Sequence, residues 1–190
     1  MIQSLAAIWR RVDAWIDSLL HWDRSTVDRV AEHPWLRRWA RTFITATYLG
    51  DGYLWGGLGL GLILFGRSID RIYVLIGLAI TIVNVAVFRL IKVMVGRLRP
   101  MNLLPRLRSR LVDGYSFPSG HATTSFGLAW VVARSYPNIG IQVGAYLAAA
   151  TIAFSRVYVR EHYPLDVLGG AILGSTVAVL LYTPFMWFFL

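Results

Sequence analysis

The sequence predicts an all-α integral membrane bundle of about five transmembrane helices, preceded by an N-terminal interfacial amphipathic helix. Three observations carry this. Mean hydropathy is +0.55 and 56% of the 190 residues are hydrophobic, more than a soluble domain of this length has a core to hide. Uncharged stretches reach spanning length, the longest running from Val167 to Leu190. The net charge is nevertheless +9, and the charges gather at the borders of those stretches. Backbone groups inside such stretches must close their hydrogen bonds internally, which selects helices.

Residues 3–20 set Leu5, Ile8, Trp9, Val12, Trp15, Ile16 and Leu19 at spacings of three and four, with Arg10, Arg11, Asp13 and Asp17 between them. That pattern predicts a helix lying in the membrane interface. The same charges interrupt what would be the apolar core of a cleavable signal peptide. From Ser25 to Arg41 the chain stays polar and rich in tryptophan, with a break at Pro34. Five of the eight tryptophans precede residue 41, as an interfacial segment requires. Five spans follow, at about Phe43–Phe65 (interrupted early by Asp51-Gly52), Ile72–Lys92, Ser119–Val132, Ile139–Val157 and Leu165–Phe188. Short connections at Gly66–Arg71 and Arg134–Asn138 alternate with a long one, Gly96–Phe117. Residues 1–190 form a single domain, with 1–41 the interfacial segment and 42–190 the catalytic bundle. Gly57-x-x-x-Gly61 and Gly170-x-x-x-Gly174 carry the small-residue spacing of close helix packing, expected here within the bundle.

Composition also excludes. The chain has no cysteine, so neither a disulfide framework nor a thiolate metal site is available. No nucleic-acid motif accompanies the basic excess, which borders apolar runs instead of forming a stripe.

Three polar clusters stand at membrane borders, where charge is costly and usually functional. In the first, Lys92 and Arg99 are seven residues apart and share a helix face if the helix persists to Pro100. In the second, Pro118-Ser119-Gly120-His121 opens the third span, with a proline suited to a first turn and a glycine that lets an anion reach the free N–H groups. The alternative is an ordinary serine-capped helix start. In the third, Arg156 closes the fourth span and His162 precedes Asp166 by one helical turn. Guanidinium forks match phosphate oxygens, and lysine adds a point charge. Snorkelling at span ends is the alternative for any of these cations. It is the reading adopted for Arg89, Arg97, Arg106, Arg108 and Arg110.

A neutral imidazole attacks phosphorus if a partner fixes its tautomer and stabilises the imidazolium that forms. Asp166 is placed to do this for His162, giving a phosphohistidine that water then hydrolyses. His121 can protonate the departing oxygen. His21 and His33 are read as interfacial hydrogen-bonding residues. A metal is not expected: further clustered carboxylates or thiols are missing from the sequence, and three cations would repel it.

Taken in order, Lys92-x6-Arg99-Pro100, Pro118-Ser119-Gly120-His121 and Ser155-Arg156-x5-His162-x3-Asp166 resemble the tripartite signature of the type 2 phosphatidate phosphatase superfamily. That superfamily holds lipid phosphatases, bacterial phosphatidylglycerophosphate and undecaprenyl diphosphate phosphatases, glucose-6-phosphatase, soluble acid phosphatases and vanadium haloperoxidases. The resemblance covers about residues 42–190. It implies His162 as nucleophile, Asp166 as its orienter and His121 as acid. It also implies Lys92, Arg99, Ser119, Gly120 and Arg156 as phosphoryl ligands, with no metal or other cofactor. The chain departs from many bacterial membrane relatives, which have six spans, by an amphipathic segment in place of the first.

The expected function is a metal-independent phosphatase of a membrane lipid phosphate or diphosphate, such as a phosphatidylglycerophosphate-like lipid or a polyprenyl (di)phosphate. The alternatives are a phosphatase of a soluble ester such as a sugar phosphate and, in a different class, a transporter or non-catalytic lipid-binding protein. Transport would call for an inverted repeat or a broken mid-membrane helix, and neither is evident. The expected partners are the lipid phosphate and the membrane, without nucleic acid; the sequence specifies no oligomeric state. Basic residues, leaving out Lys92, Arg99 and Arg156, divide 13 against 3 between the two sides of the five spans. The positive-inside rule then puts the amino terminus and the catalytic mouth in the cytoplasm of a bacterial cell.

Overall fold

The computed structural model describes residues 2–100 and 114–190, with side chains from Trp9 onward. The side chains of Leu5 and Ile8 of the amphipathic stripe, and the residues Arg106, Arg108 and Arg110 of the long connection, lie outside that description. The elements are α1 (Ile2–Glu32), α2 (Pro34–Arg37), α3 (Ala40–Tyr48), a π-helical turn (Leu49–Tyr53), α4 (Leu54–Phe65), α5 (Ser68–Val95), α6 (Gly120–Ser135), α7 (Ile139–Tyr158) and α8 (Pro164–Phe189). The described residues contain no strand, only an isolated antiparallel bridge between Leu98 and Tyr115.

The amphipathic segment is longer than its pattern suggested. Helix α1 runs through Ser25 to Glu32 before Pro34 opens the short α2. Trp9, Trp15 and Trp22 are exposed on its outer side, whereas Asp23 and Val27 are buried. Its second half is therefore seated on the bundle.

Among the described residues three helices are long and apolar enough to cross a membrane: α5, α7 and α8. The expected first span is instead a composite of α3, the π-helical turn and α4, with Gly52 at φ 110° in the kink. Glycine is the residue that takes this conformation without a steric penalty. The expected third span, α6, has 16 residues and lies among α5, α7 and α8. Large apolar side chains such as Ile82, Leu90, Leu147, Ile172 and Leu180 are exposed on the bundle surface, an arrangement that suits a lipid surround.

The two glycine motifs part company. A Cβ at Gly174 would stand 1.9 Å from the Thr123 carbonyl oxygen, and one at Gly170 2.5 Å from that of Ser119. Those glycines set the α6–α8 crossing. At Gly57 and Gly61 a Cβ would meet nothing within 4 Å, so the expected packing of that motif inside the bundle is not found.

Helix direction brings the three clusters to one end. Helices α5 and α7 finish there, and α6 and α8 begin there. At the opposite end Asp70 caps α5, pairs with Arg67 and accepts the Tyr136 hydroxyl at 2.9 Å.

Candidate active site

Helix α5 ends at Val95, and Gly96 adopts a left-handed conformation at φ 64°. The expected continuation to Pro100 does not occur, because this glycine terminates the helix first. The chain beyond it runs extended, held by the Ser116 N–H donating to Arg97 O at 2.7 Å. Lys92 and Arg99 therefore reach the same place from a helix end and an extended strap, not from one helical face. Lys92 is buried and donates to the Tyr115 carbonyl at 2.8 Å.

Ser119 is the N-cap of α6, its Oγ accepting from Ala122 N at 3.5 Å, and its own N–H donates to Asp166 O at 2.9 Å. Pro118 precedes that cap and lies outside the first turn where the sequence had put it. Gly120 and His121 face a cavity. Ser119 is fully buried and does not line it.

That cavity, of about 870 Å³, is lined at the end where the three clusters meet by Asp51, Lys92, Arg99, Gly120, His121, Arg156 and His162. Arg89 lines it too and is exposed. It then runs between α4, α5 and α6 past Leu58, Leu62, Val74, Leu78, Phe88 and Leu128 to Tyr73 and Tyr136. Six of the eight residues expected in the site thus meet in one space, while Ser119 and Asp166 stand behind it.

The histidines differ in their settings. His162 is almost fully buried in the α7–α8 connection, its Nε2 3.4 Å from Arg99 Nη1. Its Nδ1 lies 3.8 Å from Asp166 Oδ2 and has no hydrogen-bond partner among the described residues. The expected His162–Asp166 pair is thus adjacent but not hydrogen-bonded. Asp166 Oδ2 instead accepts the Tyr163 N–H at 2.8 Å, in a capping box that starts α8. Catalytic hydrogen bonds often tighten only around substrate. Burial, and then the charges of Arg99, Arg156 and Lys92, push the His162 imidazole well below the ordinary histidine range. His162 is accordingly neutral near pH 7, the form that can act as a nucleophile.

His121 Nε2 lies 2.7 Å from Asp51 Oδ1, a partner that the sequence showed only as an interruption of an apolar run. A polar residue beside glycine in a spanning segment was the available signal, and π-helical turns recur at functional sites. A Cβ at Gly50 would fall 2.8 Å from His121 Cδ2, so that glycine makes room for the ring. Glu161 was also missed. It is buried, accepts from Arg99 Nη1 at 2.7 Å and lies 3.9 Å from Arg156 Nη2, balancing charge where two guanidinium groups converge.

Arg97, read as a snorkelling residue, is not one. It bridges Asp166 Oδ1 at 2.7 Å and Asp23 Oδ2, and stacks over Tyr163 with 4.1 Å to the ring centroid.

Against known proteins, residues 72–189 match the model of the PAP2 superfamily. A lipid A 4'-phosphatase of Bacteroides thetaiotaomicron is 35% identical over 109 residues, 54% of this chain and 48% of that protein. An undecaprenyl-diphosphatase of Sulfolobus acidocaldarius is 32% identical over 137 residues, 69% of this chain and 63% of that protein. The chain therefore spans about half to under two-thirds of these relatives. Among solved structures, a transmembrane PAP2-type phosphatidylglycerolphosphate phosphatase from Bacillus subtilis superposes with a TM-score of 0.68 at 23% identity, over 95% of this chain and 93% of that one. LpxE of Aquifex aeolicus gives a TM-score of 0.63 at 25% identity, over 85% and 94%.

Proposed function

The chain belongs to the PAP2 superfamily, and on that premise we propose that it is a phosphatase of a membrane lipid phosphate or diphosphate, working through a phosphohistidine. One observation carries the lipid reading: the cationic pocket continues into an apolar cavity along the bundle. A head-group phosphate can sit among Lys92, Arg99 and Arg156 while its hydrocarbon chain lies beside α4 and α5. A soluble ester has no use for that extension.

In this reading the phosphoryl oxygens are held by the three cations and by N–H groups at the start of α6, charge-assisted contacts that strengthen as the transition state forms. His162 Nε2 attacks phosphorus. As that N–P bond forms, the bond to the leaving oxygen breaks, and His121, held at its Nε2 by Asp51, gives that oxygen its proton. His121 can then take a proton from the water that cleaves the N–P bond. Asp166 turns and stabilises the His162 imidazolium. No metal is expected to be required.

Purified protein should release phosphate from phosphatidylglycerophosphate or undecaprenyl diphosphate far faster than from a sugar phosphate, with chelator present. Since protonation would silence His162 and its site disfavours that form, the rate should persist on the acid side of the usual histidine value of about 6.5 and fall only as pH drops through the depressed one. A preference for the sugar phosphate would overturn the lipid assignment, and activity lost to chelator and restored by magnesium would overturn the metal-free mechanism.

The catalytic mouth is assigned to the cytoplasm, against the outward opening of many six-span relatives. Arg97 and Arg160 are engaged in ion pairs within the protein; setting these two aside as well leaves 11 basic residues against 3. This side favours a lipid phosphate made on the inner leaflet, such as phosphatidylglycerophosphate. With single cysteines at Ser109 or Ser68 and an impermeant thiol reagent on intact cells, labelling is expected at Ser68 with protection at Ser109. The reverse pattern would put the site outside.

A further inference from the structure

The geometry assigns Asp23, on the interfacial helix α1, as a positioning residue for the nucleophile, acting through Arg97 and Asp166; the assignment rests on His162 being that nucleophile. Asp23 has no solvent exposure. A carboxylate is buried at high cost unless its charge and its lone pairs are matched, and here both oxygens are engaged. Oδ2 takes Arg97 Nη2, and Oδ1 accepts the Leu165 N–H at 2.9 Å. The other arm of the same guanidinium, Nη1, donates to Asp166 Oδ1 at 2.7 Å. Arg97 is thus a two-carboxylate fork, its plane fixed by Tyr163 beneath it. The remaining Asp166 oxygen, Oδ2, is the one that faces His162 Nδ1. The position of that oxygen is consequently set by a residue of α1.

A second link from the same helix reaches the same connection. Arg160, two residues before His162, has φ 59°, a strained conformation for a residue with a Cβ. Its Nη2 pairs with Asp28 at 3.2 Å and Glu32 at 2.7 Å. Helix α1 therefore grips the α7–α8 connection on both sides of the nucleophile. None of Asp23, Asp28, Glu32, Arg97 or Arg160 lines the cavity, so this grip orients and does not bind phosphate.

The charge arrangement gives the mechanism a direction. Arg97 divides its donors between two carboxylates. With Asp23 neutral, the guanidinium acts on Asp166 alone, which makes Asp166 a weaker acceptor for the His162 N–H and a weaker stabiliser of the imidazolium. His162 should then lose basicity and orientation together.

The test uses the full chain with a lipid phosphate, comparing wild type with Asp23→Asn and with Arg97→Lys, which keeps the charge but cannot fork two carboxylates. Ångström-scale misplacement of a catalytic group costs roughly ten- to a hundred-fold. Both variants are expected to lose kcat by about that factor with KM held at the wild-type value, and the acid limb of kcat/KM should move to lower pH in Asp23→Asn. The double variant Asp23→Asn/Arg97→Lys should fall no further than the worse single one. Wild-type kcat and pH profile in either single variant would overturn the assignment, as would strictly additive losses, or a rise in KM that accounts for the lost activity. If Asp23→Asn does not fold, Arg97→Lys decides by the same readings. A wild-type protein that releases no phosphate sinks the phosphatase reading itself, whereas an active wild type matched by both variants sinks only the role of Asp23.

Discussion

His162→Ala is expected to abolish turnover, whereas His121→Ala should leave a slow enzyme that recovers on substrates with good leaving groups. The two residues face one cavity yet are proposed for different duties. Loss of the nucleophile removes the covalent route, and among the described residues His121 is the remaining histidine on that cavity, already paired with Asp51. Loss of the acid removes one positioned proton transfer, worth roughly a hundred- to ten-thousand-fold, and a leaving group that departs without protonation makes that loss small. Asp51→Asn should follow His121→Ala in kind, because it removes the carboxylate 2.7 Å from His121 Nε2, and it too should recover on an aryl phosphate. Steady-state phosphate release is measured on a lipid phosphate and on an aryl phosphate of low leaving-group pKa. Undiminished turnover by His162→Ala would remove the nucleophile assignment. Failure of His121→Ala to recover on the aryl ester would remove the acid assignment while leaving the nucleophile in place.

The residues legible in the sequence are those whose neighbours in the chain share their task. Gly120 and His121 are adjacent at the start of α6, and His162 stands four positions before Asp166, in the connection just ahead of α8 and not on its face, so local spacing alone singled out each pair. The carboxylates that manage charge in the site had no such context. Asp51 meets His121 across 70 positions and Arg99 meets Glu161 across 62, and neither pairing leaves a trace in local pattern. Arg97 was misread for a related reason: a basic residue after an apolar run looks the same whether it reaches for water or for two carboxylates. The helix stop was misplaced because Pro100 and Gly96 are both credible terminators, and only the left-handed turn at Gly96 shows which acts first. The positions of α5, α7 and α8 were legible because uninterrupted hydropathy marks a segment suited to lipid. Helix α6 has 16 residues, and its opening polar residues His121, Thr123 and Thr124 shorten its apolar run further.

Two motifs of identical spacing should respond in opposite ways to the same substitution. Gly174→Ala is expected to cost more than about 3 kcal/mol, beyond the usual range for overpacking, because its new methyl would lie 1.9 Å from a backbone oxygen of α6, Thr123 O. A backbone atom within a helix cannot swing aside as a side chain can, so α6 and α8 must separate. The site lies at the end of that same crossing. The Ser119 N–H bonds to Asp166 O at 2.9 Å, and this bond ties the start of α6, which carries His121, to the start of α8, which carries Asp166. Helix separation should thus lower the unfolding temperature in detergent and remove activity together. Gly57→Ala and Gly61→Ala place their methyls in open space and exchange a poor helix former for a good one, a change worth up to about 1 kcal/mol in favour of the helix. Their unfolding temperatures should match or exceed that of wild type, with full phosphate release. Thermal unfolding of the three variants, read beside their activities, separates the cases. Loss of stability in Gly57→Ala or Gly61→Ala would mean that the α4 motif is packed after all, against a second copy of the chain. A stable, active Gly174→Ala would mean that the α6–α8 crossing is looser than its geometry requires.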